Sequence, residues 1–162
     1  MPDLVWEEVK TFFDPGLMGS LPDVRVEDAS VEDWQAVFDL VQAQGWGWEY
    51  SEGEAVVPLS AATEVLARPV DAELPILRVW PVPGVQVNFW PSSAVEIDFD
   101  IDLRELQGQE RLDMLCGFFA VIGRRLGKPV LMAPEGDYQH PVLGFDVEAD
   151  RVVLLADPRL PQ

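Results

Sequence analysis

Val95 to Leu103 reads V-E-I-D-F-D-I-D-L, a strict alternation that sends Val95, Ile97, Phe99, Ile101 and Leu103 to one side and Glu96, Asp98, Asp100 and Asp102 to the other. Such a stretch is a strand with one apolar face and one acidic face. Same-face residues of a strand stand about 6.6 Å apart, so the carboxylates form a row roughly 20 Å long with no Lys among them. Like charges at that spacing are tolerated only where water or a basic partner faces them.

Working outward, Ile76–Trp80 and Val85–Trp90 precede this strand, joined by Pro81-Val82-Pro83-Gly84 and Pro91-Ser92-Ser93. Connections this short force neighbouring strands to run antiparallel, which predicts a central three-strand meander over about 76–101. Downstream, Leu112, Leu115, Cys116, Phe119, Ile122 and Leu126 recur at helical spacing. Arg124 and Arg125 stand near the negative end of that helix and Gly127 is its stop, so it is expected over about 108–126. Upstream, Ser30 with Asp33 caps a helix that places Trp34, Val37, Phe38 and Val41 on one face and stops at Gly45.

The remaining segments follow by period. Asp3 to Phe13 is expected as a short helix, Val24–Val26 as a brief strand, and Trp46 to Pro58 as a hairpin turning at Ser51-Glu52-Gly53-Glu54. Short strands are expected at Val130–Met132, Val142–Val147 and Val152–Leu155. Residues 60–74 suit a short helix as well as a strand, with Pro69 and Pro75 breaking the run. The sum is an α+β fold, a mainly antiparallel sheet covered on one face by two or three helices. A length of 162 residues fits one domain, expected over 1–156 with a tail at 157–162.

Composition limits the function. The net charge is −18, with nine Arg and two Lys against 29 acids, while 48% of the residues are apolar and six are Trp. A chain so rich in apolar side chains folds despite its charge, and that charge repels nucleic acid and anionic membrane while favouring encounter with basic proteins. No apolar run approaches the roughly 20 residues of a membrane span, and a single cysteine, Cys116, fits a reducing compartment. A cytoplasmic protein with a basic protein partner is therefore expected, and the Arg-rich, Ala- and Val-rich composition is the kind a GC-rich bacterial genome produces.

If helices cover the side carrying Val85, Val87, Phe89, Ile97 and Phe99, the opposite side shows Ile76, Arg78 and Trp80, then Gln86, Asn88 and Trp90, then Glu96, Asp98 and Asp100. Indole rings among carboxylates are interface anchors, so Glu96, Asp98, Asp100, Trp80, Trp90 and Asn88 form the candidate partner-binding set. The competing reading puts the two tryptophans under the N-terminal helix or a loop and leaves the acids as an ordinary solvated face. Asp98, Asp100 and Asp102 begin the D-x-D-x-D of a calcium-binding EF-hand, but Leu103 and Gln109 occupy the sixth and twelfth places, where that loop needs Gly and Glu. A looser divalent site between Asp98, Asp100 and an acid of a neighbouring strand is the alternative. Asp102 also fits a helix cap.

No G-x-S-x-G, H-E-x-x-H, C-x-x-C, P-loop or G-x-G-x-x-G occurs. The lone His140 stands beside Pro141 and Cys116 lies on an inward helical stripe, so the reading is non-enzymatic, with no catalytic residue, metal or cofactor assigned. Small size, strong acidity and an acidic-aromatic face resemble the immunity proteins that protect bacteria from their own basic toxins. That resemblance implies inhibition by binding, and being one of type it transfers no functional residue. The order of helix, several strands, helix and further strands is similar to that of acidic secretion chaperones, which implies peptide binding as the second reading. A divalent-cation binder or metal-dependent hydrolase is the third.

Overall fold

A computed structural model describes residues 2–69 and 71–156. Its order is α1 Trp6–Val9, a 3-10 turn Lys10–Phe13, α2 Pro15–Met18, β1 Asp23–Val26, α3 Val31–Ala43, β2 Gly47–Glu52, β3 Ala55–Val56 and α4 Ala62–Leu66. The chain continues through β4 Pro75–Val82, β5 Val85–Phe89, β6 Ile97–Ile101, a 3-10 turn Leu103–Glu105, α5 Gln109–Leu126, β7 Val130–Ala133, β8 Leu143–Asp146 and β9 Arg151–Leu154. The protein is α+β, with one antiparallel sheet of nine strands ordered β3-β2-β4-β5-β6-β1-β7-β8-β9 and five helices among the described residues.

Strand β6 owes its place to its alternation. Ile97, Phe99 and Ile101 are buried while Asp98 and Asp100 are half-buried on the other side. β5 has the same pattern, with Val85, Val87 and Phe89 inward. β4, β5 and β6 are consecutive antiparallel neighbours, Val87 facing both Val79 and Ile101 across the sheet. The ladder extends beyond them on both sides, because β2 adds to β4 and β1 adds to β6.

Helix α3 begins where Ser30 Oγ accepts the Asp33 N–H at 3.1 Å, and it buries Trp34, Val37, Phe38 and Val41. Helix α5 ends at Gly127, whose φ of 66° is a left-handed conformation that costs glycine little. Phe118 and Phe119 of α5 reach the aromatic centre of the sheet. Phe99 lies 5.9 Å from Phe118, 6.0 Å from Phe119 and 4.7 Å from Phe89, ring centre to ring centre. Edge-on and tilted rings at these distances add about 0.5–1.5 kcal/mol per pair beyond the area they bury.

Three expectations are corrected. The helix expected over Asp3 to Phe13 is broken: residues 2–5 precede α1, Val5 gives it no side-chain cap, and its last turn tightens to 3-10 from Lys10. The strand expected from Val95 starts at Ile97. Val95 is 67% exposed, its N–H donating to Ser93 Oγ and its carbonyl accepting from Ala29 N, so it belongs to the turn entering β6. Leu103 is buried but sits in the 3-10 turn that Asp102 caps by accepting the Arg104 N–H at 2.9 Å, which takes Asp102 out of the strand. Residues 60–74 contain helix α4, and the expected tail at 157–162 lies outside the described residues.

Candidate partner-binding site

β1 brings the site together. Its sequence D-V-R-V turns Val24 and Val26 inward, so Asp23 and Arg25 share the opposite face with Asp98 and Asp100 of β6. The register sets Asp23 directly across from Asp100 and Arg25 directly across from Asp98. On the other flank of β6, Asn88 of β5 faces Asp100, and Trp90 follows β5 with its N–H on the Asp98 carbonyl at 3.0 Å. Beside β1, the loop after β7 places Tyr138 over the Arg25 guanidinium, 5.6 Å from the ring centre. Gly136 N of that loop donates to Asp23 Oδ2 at 3.0 Å and holds it there.

Between these elements lies a cavity of about 250 Å3 lined by Asp23, Trp90, Asp98, Phe99, Asp100 and Tyr138. It is half open to solvent and large enough to admit the head of one long side chain. Both oxygens of Asp100 are fixed. Oδ1 accepts from Asn88 Nδ2 at 2.9 Å and Oδ2 from Trp90 Nε1 at 2.8 Å, so the indole is held beside the cavity by the carboxylate. Gln86 Nε2 in turn donates to Asn88 Oδ1 at 2.7 Å, which orients the amide.

The charges do not balance. Asp23, Glu96, Asp98 and Asp100 gather here, and among the described residues Arg25 is the cation set against them. Arg25 Nε is 3.9 Å from Glu27 Oε1, too long for a hydrogen bond. Burial pushes the Asp98 carboxyl up from its ordinary 3.8 to about 7. Its hydrogen bond with Glu96 and the charges of Glu96 and Asp23 push the same way, and Arg25 opposes them. Asp23 is raised as well, first by burial, against the pull of the Gly136 N–H. Carboxyls that resist ionisation in a walled cavity are groups for which a cation would replace the missing counter-charge.

The expected residues therefore separate. Trp90, Asp98 and Asp100 line the cavity, Asn88 positions Asp100, and Glu96 adjoins Asp98. Trp80 does not join them: it stands on β4 opposite Gly47, away from the cavity wall. Asp23, Arg25 and Tyr138 were not anticipated. The alternation D-V-R-V signals that Asp23 and Arg25 share a face, but a sequence does not say which strand lies beside β1, and nothing local marks Tyr138. Asp102 forms its own ion pair with Arg104, 2.6 Å apart, which holds its carboxyl below the usual range.

Elsewhere, Cys116 is buried and its thiol is pushed up to about 12, chiefly by burial, so it is not a nucleophile at neutral pH. His140 is exposed and bonded to Asp137 at 2.8 Å. Among the described residues no three His, Cys, Asp or Glu side chains are arranged to hold a metal ion, and no helix is long and apolar enough to cross a membrane. No protein-family model, curated protein or solved structure matches the chain.

Proposed function

We propose that this chain is a non-enzymatic protein-binding module, an immunity-type inhibitor that holds a basic protein against the open face of its sheet. A Lys or Arg side chain of the partner enters the cavity between Trp90 and Tyr138 and meets Asp98 and Asp100. The carrying observation is the unbalanced charge in a walled, aromatic-lined space: four carboxylates, of which Asp98 is pushed up to about 7, against Arg25. A guanidinium or ammonium there forms charge-assisted hydrogen bonds with the carboxylates and packs against the aromatic wall of the cavity. The net charge of −18 steers a basic partner to this face, and inhibition follows from covering the partner's own surface.

The test is a titration with a hexa-arginine peptide followed through the Trp90 indole N–H resonance. That proton reports the bond to Asp100 and so separates the cavity from general attraction to an acidic protein. A saturable shift in the wild type that is lost in Asp98→Asn/Asp100→Asn and not produced by hexa-glutamate is expected. An unmoved Trp90 signal while other acidic surfaces respond contradicts the assignment.

A further inference from the structure

The far end of the sheet poses a separate problem. Among the described residues β9 is an edge strand, and an edge presents outward N–H and C=O groups to any passing strand. Which groups these are follows from the register. Leu155 N donates to the Val142 carbonyl at 2.8 Å, and Leu143 faces Leu154 while Phe145 faces Val152. Hydrogen-bonded pairs alternate along an antiparallel ladder, so Val153 exchanges its bonds with Gly144, and the backbone polar groups of Val152 and Leu154 point away from the sheet.

Outward groups at positions two apart are self-complementary. Turned about a two-fold axis at Val153, β9 of one copy sets its Val152 against Leu154 of the other, each pair exchanging both bonds, with Val153 on the axis. The side chains suit that pairing, since Val153 and Leu154 are half-buried and Leu155 is exposed. One contact opposes it: Asp3 Oδ2 accepts the outward N–H of Val152 at 2.9 Å.

Asp3 is delivered by a strap. Gln109, the first residue of α5, grips residues 4 to 6 by donating from Nε2 to the Leu4 carbonyl at 2.9 Å and accepting the Trp6 N–H at Oε1 at 2.7 Å. Leu4 is buried, which anchors that end. The Pro2–Asp3 end instead borders an open pocket of about 410 Å3, lined also by Asp113, Cys116, Ala120 and Arg124. We propose that the N-terminal strap is an edge guard: the Asp3 carboxylate occupies the Val152 N–H and keeps β9 from pairing with β9 of a second copy.

Sedimentation velocity from low to high micromolar concentration tests this on the full chain. Asp3→Ala is expected to move from monomer to dimer as concentration rises, while the wild type and Asp3→Asn, whose amide oxygen still accepts, stay monomeric. Leu154→Pro removes an outward N–H without breaking the ladder to β8, so Asp3→Ala/Leu154→Pro returns to monomer. An Asp3→Ala protein that stays monomeric, or a dimer that survives Leu154→Pro, overturns the proposal. Amide exchange in the wild type decides the case even if the variants fold poorly: Val152 is expected to exchange more slowly than Leu154, and equal rates overturn the guard.

Discussion

Asp98 stands where the sheet concentrates negative charge, and its protonation couples stability to the proposed binding. Its carboxyl is raised from 3.8 to about 7 in the folded state, so between those values the folded chain holds a proton that the unfolded chain has lost. Stability contributed by this residue therefore falls as pH rises through that window, the reverse of an ion-paired carboxylate. Asp98→Asn, which keeps the neutral shape, is expected to stabilise the protein above pH 7 by on the order of 1–2 kcal/mol after allowance for solvent screening. It is expected to change little near pH 4 and to flatten the part of the slope between, as read from urea midpoints across pH. A cation in the cavity favours the ionised form, so affinity for a basic ligand rises as pH passes through about 7. Equal midpoints for the variant and the wild type at pH 8 would place Asp98 in open solvent.

At the scale of elements, α5 lies against β8 at Gly123, where a Cβ would come within 2.2 Å of Phe145 Cδ2 and 2.7 Å of Cε2. Gly123→Ala gains about 1 kcal/mol of helix propensity but forces the ring or the helix to shift, an overpacking cost of about 1–3 kcal/mol. A net loss of about 1 kcal/mol or more is expected. Gly117, in the same helix, has nothing within 4 Å of a built Cβ, so Gly117→Ala is expected to stabilise by about 0.5–1 kcal/mol. Urea unfolding of the two variants checks the helix-on-sheet packing, and equal effects would contradict it. Helix α5 was legible because apolar spacing, terminal arginines and Gly127 agree, and α3 because Ser30 and Asp33 cap an apolar face. The N-terminal segment misled because Val5, Val9, Phe12 and Phe13 sit at helical spacing, yet Val5 is exposed ahead of α1, and Val9, Phe12 and Phe13 are buried from a one-turn helix and a 3-10 turn rather than a continuous helix. Val95 misled because alternation continues past the point where Ser93 turns the chain.

For the whole molecule, what the sequence withheld was long-range pairing. Alternation in β1 and β6 shows two acid-bearing strands, yet only the insertion of β1 between β6 and β7 sets Asp23 against Asp100 and brings Tyr138 over Arg25. The same insertion joins the strands on either side into one sheet of nine among the described residues, while the antiparallel pairing of β4 with β5, Arg78 facing Asn88, puts Trp80 and Trp90 at opposite ends of that pair. The acidic row read from V-E-I-D-F-D-I-D-L thus becomes half of a walled cavity whose other half comes from sequence about 75 residues earlier and 40 later. A net charge of −18 surrounds that cavity, so the proposed docking of a basic protein is expected to be sensitive to salt, mainly through the association rate. The most direct measurement is capture from a lysate of the cells that make the protein, at low and high salt, with wild type beside Asp98→Asn/Asp100→Asn. The account predicts one basic protein retained in stoichiometric amount by the wild type at low salt and lost from the variant. Equal capture by both forms, or no stoichiometric basic partner, would contradict it.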